Sequence, residues 1–354
     1  MNESATGFAP WWSGWSSGYP IYLTIAYTVI QPACVLLGLV GNFWILCVLL
    51  CRWREVRMSL SIKLYYGAIA VGDLLTCIRH LLWNVLCVSL ALYSSDHVYF
   101  CFDVLSDFSC VILNIFAFNS EVLANYSLVG LSIERFIAVC LPLHAHALLS
   151  PKWTLFILSL LIVPFCVYFT ILIPFAAQIF PTVRVTGLIC EWNSGISGTI
   201  YSFSLIVILD AVHAIAVLVL SLSIFARIQQ QSHNRRALAV GSGNDGNLQS
   251  RSGSSATLTM IALAIVTVVT YGLDSVSVIA NTLSYYLPGA SLHFQLISLQ
   301  IFLFFVLCTV IPHCVNFFIY LVFIPSFRRA SFCLKENGAL KALSSNNIES
   351  TKLK

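Results

Sequence analysis

Residues 153–177 read WTLFILSLLIVPFCVYFTILIPFAA, 25 residues without one charged side chain. A bilayer core of about 30 Å needs roughly 20 apolar residues as a helix, because lipid offers no partner for an unpaired backbone N–H or C=O. Six more stretches of this kind lie at about 22–50, 64–92, 105–133, 198–226, 256–287 and 294–322. With 59% hydrophobic and 9% charged residues in a chain of 354, a soluble core is excluded and an integral membrane protein is indicated.

Orientation follows from the basic residues. Arg52, Arg54, Arg57 and Lys63 lie between stretches one and two, Arg135 and Lys152 between three and four. Arg227, Arg235, Arg236 and Arg251 lie between five and six, and Arg328, Arg329, Lys335, Lys341, Lys352 and Lys354 follow the seventh. That is 16 of 18; only Arg184 falls on the opposite side, and Arg79 is inside a stretch. Basic residues stay cytoplasmic, so the N-terminus is expected outside. The net charge of +4 then sets topology and faces anionic inner-leaflet lipid, with no implication of nucleic acid. The expected fold is all-α: a seven-transmembrane helix bundle over 22–322, an outer N-terminal segment at 1–21, and a cytoplasmic tail at 323–354. The same topology argues against an insect-type chemosensory channel, which has the opposite orientation. The lack of an internal repeat argues against a transporter built of repeated halves.

The first 20 residues have no basic or apolar signal region, so the first helix is expected to serve as its own insertion signal. Asn2 opens the outer glycosylation sequon Asn2-Glu3-Ser4. Residues 229–255, rich in Gly, Ser, Asn and Gln, are expected to form a flexible inner loop. Of 13 cysteines, only Cys101, Cys110 and Cys190 lie outside or at an outer helix end, an odd number. Cys333 follows the basic amphipathic run Phe327-Arg328-Arg329-Ala330-Ser331-Phe332, where palmitoylation would anchor a surface helix; an ordinary thiol fits there too. There is no catalytic domain, phosphate loop or strong metal-ligand spacing; His144 and His146 are a weak pair. No enzyme, cofactor or metal site is expected.

Polar residues inside membrane helices are costly and tend to face one another or a wet cavity. In the third stretch Cys110, Asn114, Ala117, Glu121, Asn125, Ser132 and Arg135 fall within an arc of about 80° at 100° per residue. Asp73, His80 and Asn84 share a face of the second stretch; Thr267, Tyr271, Asp274 and Asn281 one of the sixth; Thr309, His313, Asn316 and Tyr320 one of the seventh. Each residue alone is served by interhelical hydrogen bonding. Four stripes together describe a bundle around a hydrated axis.

These residues carry a resemblance. Gly41-Asn42 and Ile69-Ala70-Val71-Gly72-Asp73 resemble the helix-one and helix-two signatures of rhodopsin-like G-protein-coupled receptors. Leu131-Ser132-Ile133-Glu134-Arg135-Phe136-Ile137-Ala138-Val139-Cys140-Leu141-Pro142-Leu143 is similar to that family's (D/E)R(Y/F)xAVxxPL segment. Asn316-Phe317-Phe318-Ile319-Tyr320 is similar to its NPxxY motif, followed by the Phe327-Arg328 start of a short amphipathic eighth helix. The resemblance spans about 290 residues. It implies a plasma-membrane receptor that passes an extracellular signal to a heterotrimeric G protein, with Glu134 holding Arg135 at rest and Asn316 and Tyr320 taking part in activation. It also implies a disulfide from Cys110, 25 residues before Arg135, to Cys190, with Cys101 the rival partner. Asn42, Asp73 and Asn316 resemble the family's polar centre, which holds water or sodium, and His313 falls on the same face. Ala124 replaces a serine that would help bind the ion, which argues against sodium.

The departures are specific. Phe317 replaces a proline, and Thr270-Tyr271-Gly272-Leu273 stands where the family has CWxP. The fourth helix lacks its buried tryptophan unless Trp153 substitutes, and the fifth lacks its proline, with Asp210 and His213 one turn apart. Residues 294–322 contain no Lys, so retinal cannot attach; Ala117 occupies the position of the amine receptors' aspartate. The candidate ligand-binding residues are Arg79, His80, Asn114, Glu121, Asp210, His213, Tyr271 and Asp274. Mixed charge under a tied loop suits a peptide ligand of neuropeptide type. A small chemosensory ligand and a non-signalling receptor-like scaffold are the alternatives.

Overall fold

A computed structural model of the chain describes residues 25–56, 58–82, 85, 106–181, 188–192, 211–239, 251–286, 294, 297–298, 300–301, 304–305 and 308–332. Helix α1 (Gln31–Cys51) follows a π turn, Ala26–Ile30, with Pro32 close to the change of helix type. Helix α2 (Leu60–His80) starts at Ser59, whose hydroxyl accepts from the Ile62 N–H at 3.3 Å. Helix α3 (Asp107–Cys140) starts with a reciprocal Ser106–Ser109 capping box. Its 34 residues span about 51 Å, so it extends past the expected end at 133 and beyond the hydrocarbon core.

Pro142 forces Leu141 out of helical geometry and opens a short helix, α4 (Pro142–Leu148), which the sequence pattern did not announce. Helix α5 (Pro151–Ala176) is the fourth apolar stretch and leads into a hairpin, β1 (Ala177–Pro181) antiparallel to β2 (Leu188–Trp192), with Ile179 opposite Cys190. Two paired strands thus sit inside the outer loop of an otherwise helical fold. Helix α6 (His213–Ala239) and helix α7 (Arg251–Tyr286) take in both ends of the segment 229–255 expected as a flexible loop, whose residues 240–250 lie outside the described residues. Gln229-Gln230-Gln231 and Arg235-Arg236-Ala237 are competent helix formers on either side of Ser232-His233-Asn234, and the run prolongs α6.

Helix α8 (Val310–Phe323) ends the seventh stretch, and the described residues Phe294, Ile297, Ser298, Gln300, Ile301, Phe304, Phe305 and Cys308 before it are also helical. At Ile324 the backbone turns extended ahead of Pro325, and helix α9 (Pro325–Ser331) leaves at 102° to α8. A bend that sharp cannot belong to one straight span, so α9 is the eighth helix. Six other described helices are long and apolar enough to cross a bilayer, and the seventh stretch completes a seven-transmembrane bundle.

Packing is ring-like about α3, which contacts α2, α5 and α6, while α8 closes the ring between α7 and α1. Large apolar side chains point outward, as Val40 and Phe43 on α1 and Leu160 and Ile171 on α5 do, while Asn42, Asp73, Asn125, Ser132, Asp274, His313 and Asn316 are buried. Such an inside-out pattern suits lipid. Near the cytoplasmic end Arg52 donates to the Ala330 carbonyl at 2.5 Å and Lys63 to that of Trp53 at 2.5 Å, tying the first inner loop to α9. Beside them Tyr65, Tyr66, Tyr320, Ile324 and Phe327 share a buried apolar cluster.

Candidate functional site

The α3 stripe faces inward as expected: Cys110, Ala117, Asn125, Ser132 and Arg135 are buried, with Asn114 and Glu121 partly so. Opposite it, six residues outward of Asp73 on α2, Arg79 donates through Nη1 to Glu121 Oε1 at 3.0 Å. The same nitrogen lies 3.4 Å from His80 Nε2. Both members of the ion pair retain a little exposure, 19% and 16% of their side chains. Asn114 donates to the Cys110 carbonyl at 2.8 Å, one turn back on its own helix. Asp274 on α7 is buried, within electrostatic reach of Glu121, and its Oδ1 has no hydrogen-bond partner among the described residues.

A second layer lies beneath. Asp73 Oδ1 is 2.7 Å from His313 Nδ1, and Asp73 Oδ2 accepts from the Asn316 amide. Tyr271 Oη is 2.9 Å from His313 Nε2, and the Tyr271 ring meets His213 edge-on at 4.7 Å. Asn42 donates to the His313 carbonyl at 2.7 Å and to that of Gly38 at 2.9 Å. The expected polar centre of Asn42, Asp73, Asn316 and His313 is therefore assembled. Tyr271, grouped with the ligand candidates, joins this layer through His313, and His213 packs on it. The Thr76–Ser120 hydrogen bond at 3.1 Å, linking α2 to α3, was missed because single hydroxyls in apolar helices carry no periodic signal.

The third layer is cytoplasmic. Arg135 Nη2 is 3.4 Å from Glu134 Oε1, with both side chains at least nine-tenths buried. Tyr320 packs on Tyr66 at 4.5 Å and on Phe327 at 5.9 Å. Trp153 is 45% exposed and meets Phe156 edge-on, so it does not replace a buried tryptophan.

Cys110 is disulfide-bonded, to a partner outside the described side chains; the side chains of Cys190 and Cys101 are not described. Asn2, Asn84, Asp210 and Cys333 also lie outside the described residues, and the side chain of Asn281 is not described. Among the described residues no three His, Cys, Asp or Glu side chains are grouped to hold a metal.

The family described as 7 transmembrane receptor (rhodopsin family) matches residues 41–320. The chain belongs to that family. This rhodopsin-family receptor is thus a multi-pass protein of the plasma membrane, with an extracellular ligand and a cytoplasmic G protein as the partners the family implies. No curated protein matches it.

Proposed function

We propose that this receptor responds to an extracellular peptide with a charged or amidated end, and activates a heterotrimeric G protein through Arg135. The observation that carries this reading is the Arg79–Glu121 pair at 3.0 Å, partly exposed and above the polar centre. A buried ion pair is weak evidence for stability, since apolar residues would serve as well. Its retention here favours recognition of a ligand that offers opposite charges, as a peptide terminus and a basic side chain do. At the inner end, release from Glu134 frees a permanently charged five-donor side chain for the backbone carbonyls of a partner.

The test is G-protein dissociation in cells expressing the chain, first alone and then with a peptide library. Activation by peptides, with potency shifted by Glu121→Gln and Arg79→Gln, supports the proposal. Activation confined to small uncharged compounds identifies a chemosensory receptor instead. Surface expression without dissociation under any condition points to the non-signalling scaffold, consistent with Phe317 inside an unbroken α8.

A further inference from the structure

Asp274 is 7% exposed on α7, three residues or about 4.5 Å outward of Tyr271. Its Oδ1 is covered and has no hydrogen-bond partner among the described residues. The hydroxyls of its own helix are turned to the backbone. Ser277 donates to the Asp274 carbonyl at 2.7 Å, Ser275 to that of Tyr271 at 2.8 Å, and Thr270 to that of Val266 at 2.8 Å. A buried acceptor left unpaired costs stability, so this carboxyl does nothing for the fold that an apolar side chain would not do better.

Among the described residues, the neighbouring helices bring Asp274 no Lys or Arg. From α3 comes Glu121, a second acid within electrostatic reach. Arg79 of α2 is engaged with Glu121 Oε1 at 3.0 Å, and His80 lies 3.4 Å from the same nitrogen. From α8, His313 is held between Asp73 at 2.7 Å and Tyr271 at 2.9 Å. From α6, His213 sets its ring edge-on against Tyr271. Two carboxyl groups on facing helices therefore share one guanidinium. A second positive group would complete the set, and ionisable residues inside a membrane bundle tend to be kept for such pairing. A guanidinium suits the place better than an ammonium: its planar fork of five donors can meet oxygens of two residues, and it is the more weakly hydrated of the two.

We propose that Asp274, with Glu121 beside it, is the seat of a guanidinium carried by the ligand. This rests on the peptide reading above and names the ligand's basic group as arginine-like. Arg79 stays on Glu121 and holds that acid in place on the opposite helix.

The test is thermal unfolding of the purified full-length receptor with about 10 mM N-acetyl-L-argininamide, or with its uncharged isostere N-acetyl-L-citrullinamide, at equal ionic strength. The arginine probe is expected to raise the wild-type midpoint by roughly 2 °C or more over the citrulline probe. Asp274→Asn should fold with a midpoint at or above that of the wild type, and should respond alike to both probes. A wild type indifferent to the charge of the probe overturns the proposal. So does an Asp274→Asn variant that keeps the full response, which would put the guanidinium elsewhere. Failure of Asp274→Asn to fold overturns it too, because the carboxyl would then be holding the structure. The peptide reading is judged separately by G-protein dissociation in cells. Activating peptides alongside an indifferent wild type remove this seat and leave that reading standing; a seat that passes with no activating peptide does the reverse.

Discussion

Gly72→Ala should destabilise the receptor even though alanine is the better helix former. A Cβ at position 72 would meet three atoms of Ala124: the nitrogen at 2.5 Å, Cα at 2.8 Å and Cβ at 2.9 Å. Two of these are backbone, which no rotamer change can move. Carbon contacts relax only at about 3.5–4.0 Å, so α2 and α3 must part by about 1 Å along their shared interface. Overpacking of this kind costs about 2–3 kcal/mol where backbone has to shift, and the gain of alanine over glycine in a helix returns about 1 kcal/mol. The net loss is about 1–2 kcal/mol, or a fall of roughly 2–6 °C in unfolding midpoint.

Two controls isolate the cause. Gly67 and Gly272 are helical too, yet a Cβ there would meet nothing within 4 Å, so Gly67→Ala and Gly272→Ala should be neutral or stabilising by up to about 1 kcal/mol. Adding Ala124→Gly to Gly72→Ala should not restore stability, because it removes only the Cβ contact and leaves both backbone contacts. The assay is thermal unfolding of the purified receptors side by side. A Gly72→Ala midpoint equal to or above that of Gly67→Ala refutes the close-approach argument.

Other expectations follow from the same layers. Arg135→Ala should abolish or strongly reduce G-protein activation at unchanged surface expression and ligand binding; wild-type signalling would remove Arg135 from coupling. Glu121→Gln and Arg79→Gln should each destabilise, and their summed losses should exceed that of the double variant, with a coupling of at least about 1 kcal/mol from a double-mutant unfolding cycle; strict additivity would show the 3.0 Å pair to be energetically idle. Non-reducing peptide mapping should find Cys110 joined to Cys190, and a Cys101–Cys190 peptide would refute that assignment.

Much of this was legible because lipid enforces it. Apolar runs give the spans, basic residues give the sides, and a 100° periodicity put Asn114, Glu121, Asn125 and Arg135 on one inward face, as the structure has them. What periodicity cannot give is partner choice across helices. Tyr271 and Asp274 share a stripe on α7, yet Tyr271 meets His313 while Asp274 Oδ1 meets no described side chain. Relative helix depth and rotation decide that, and neither is written in one helix alone. The hairpin at Ala177–Trp192 and helix α4 were illegible for another reason: both are short, and loop composition masks them.

The departures from the family pattern also take on a physical meaning together that they lack singly. Tyr271 stands where the family carries tryptophan, and His313 lies one turn before Asn316. Tryptophan's indole could donate a hydrogen bond but not accept one, whereas a phenol can do either, so Tyr271 can meet His313 Nε2 whichever of the two donates. The Tyr271–His313 contact connects α7 to α8, and His313–Asp73 carries it on to α2. Above this chain the Arg79–Glu121 pair links α2 to α3, and below it Tyr320 of α8 lies on Tyr66 of α2. Helix α2 takes part in three of these four contacts, through Asp73, Arg79 and Tyr66. These α2 contacts run from the Arg79–Glu121 layer through the polar centre to the cytoplasmic layer. Tyr271, itself a departure from the family pattern, is tied through His313 to Asp73, so hydrogen bonds stand at the centre of the bundle where the family's motif has a kinking proline.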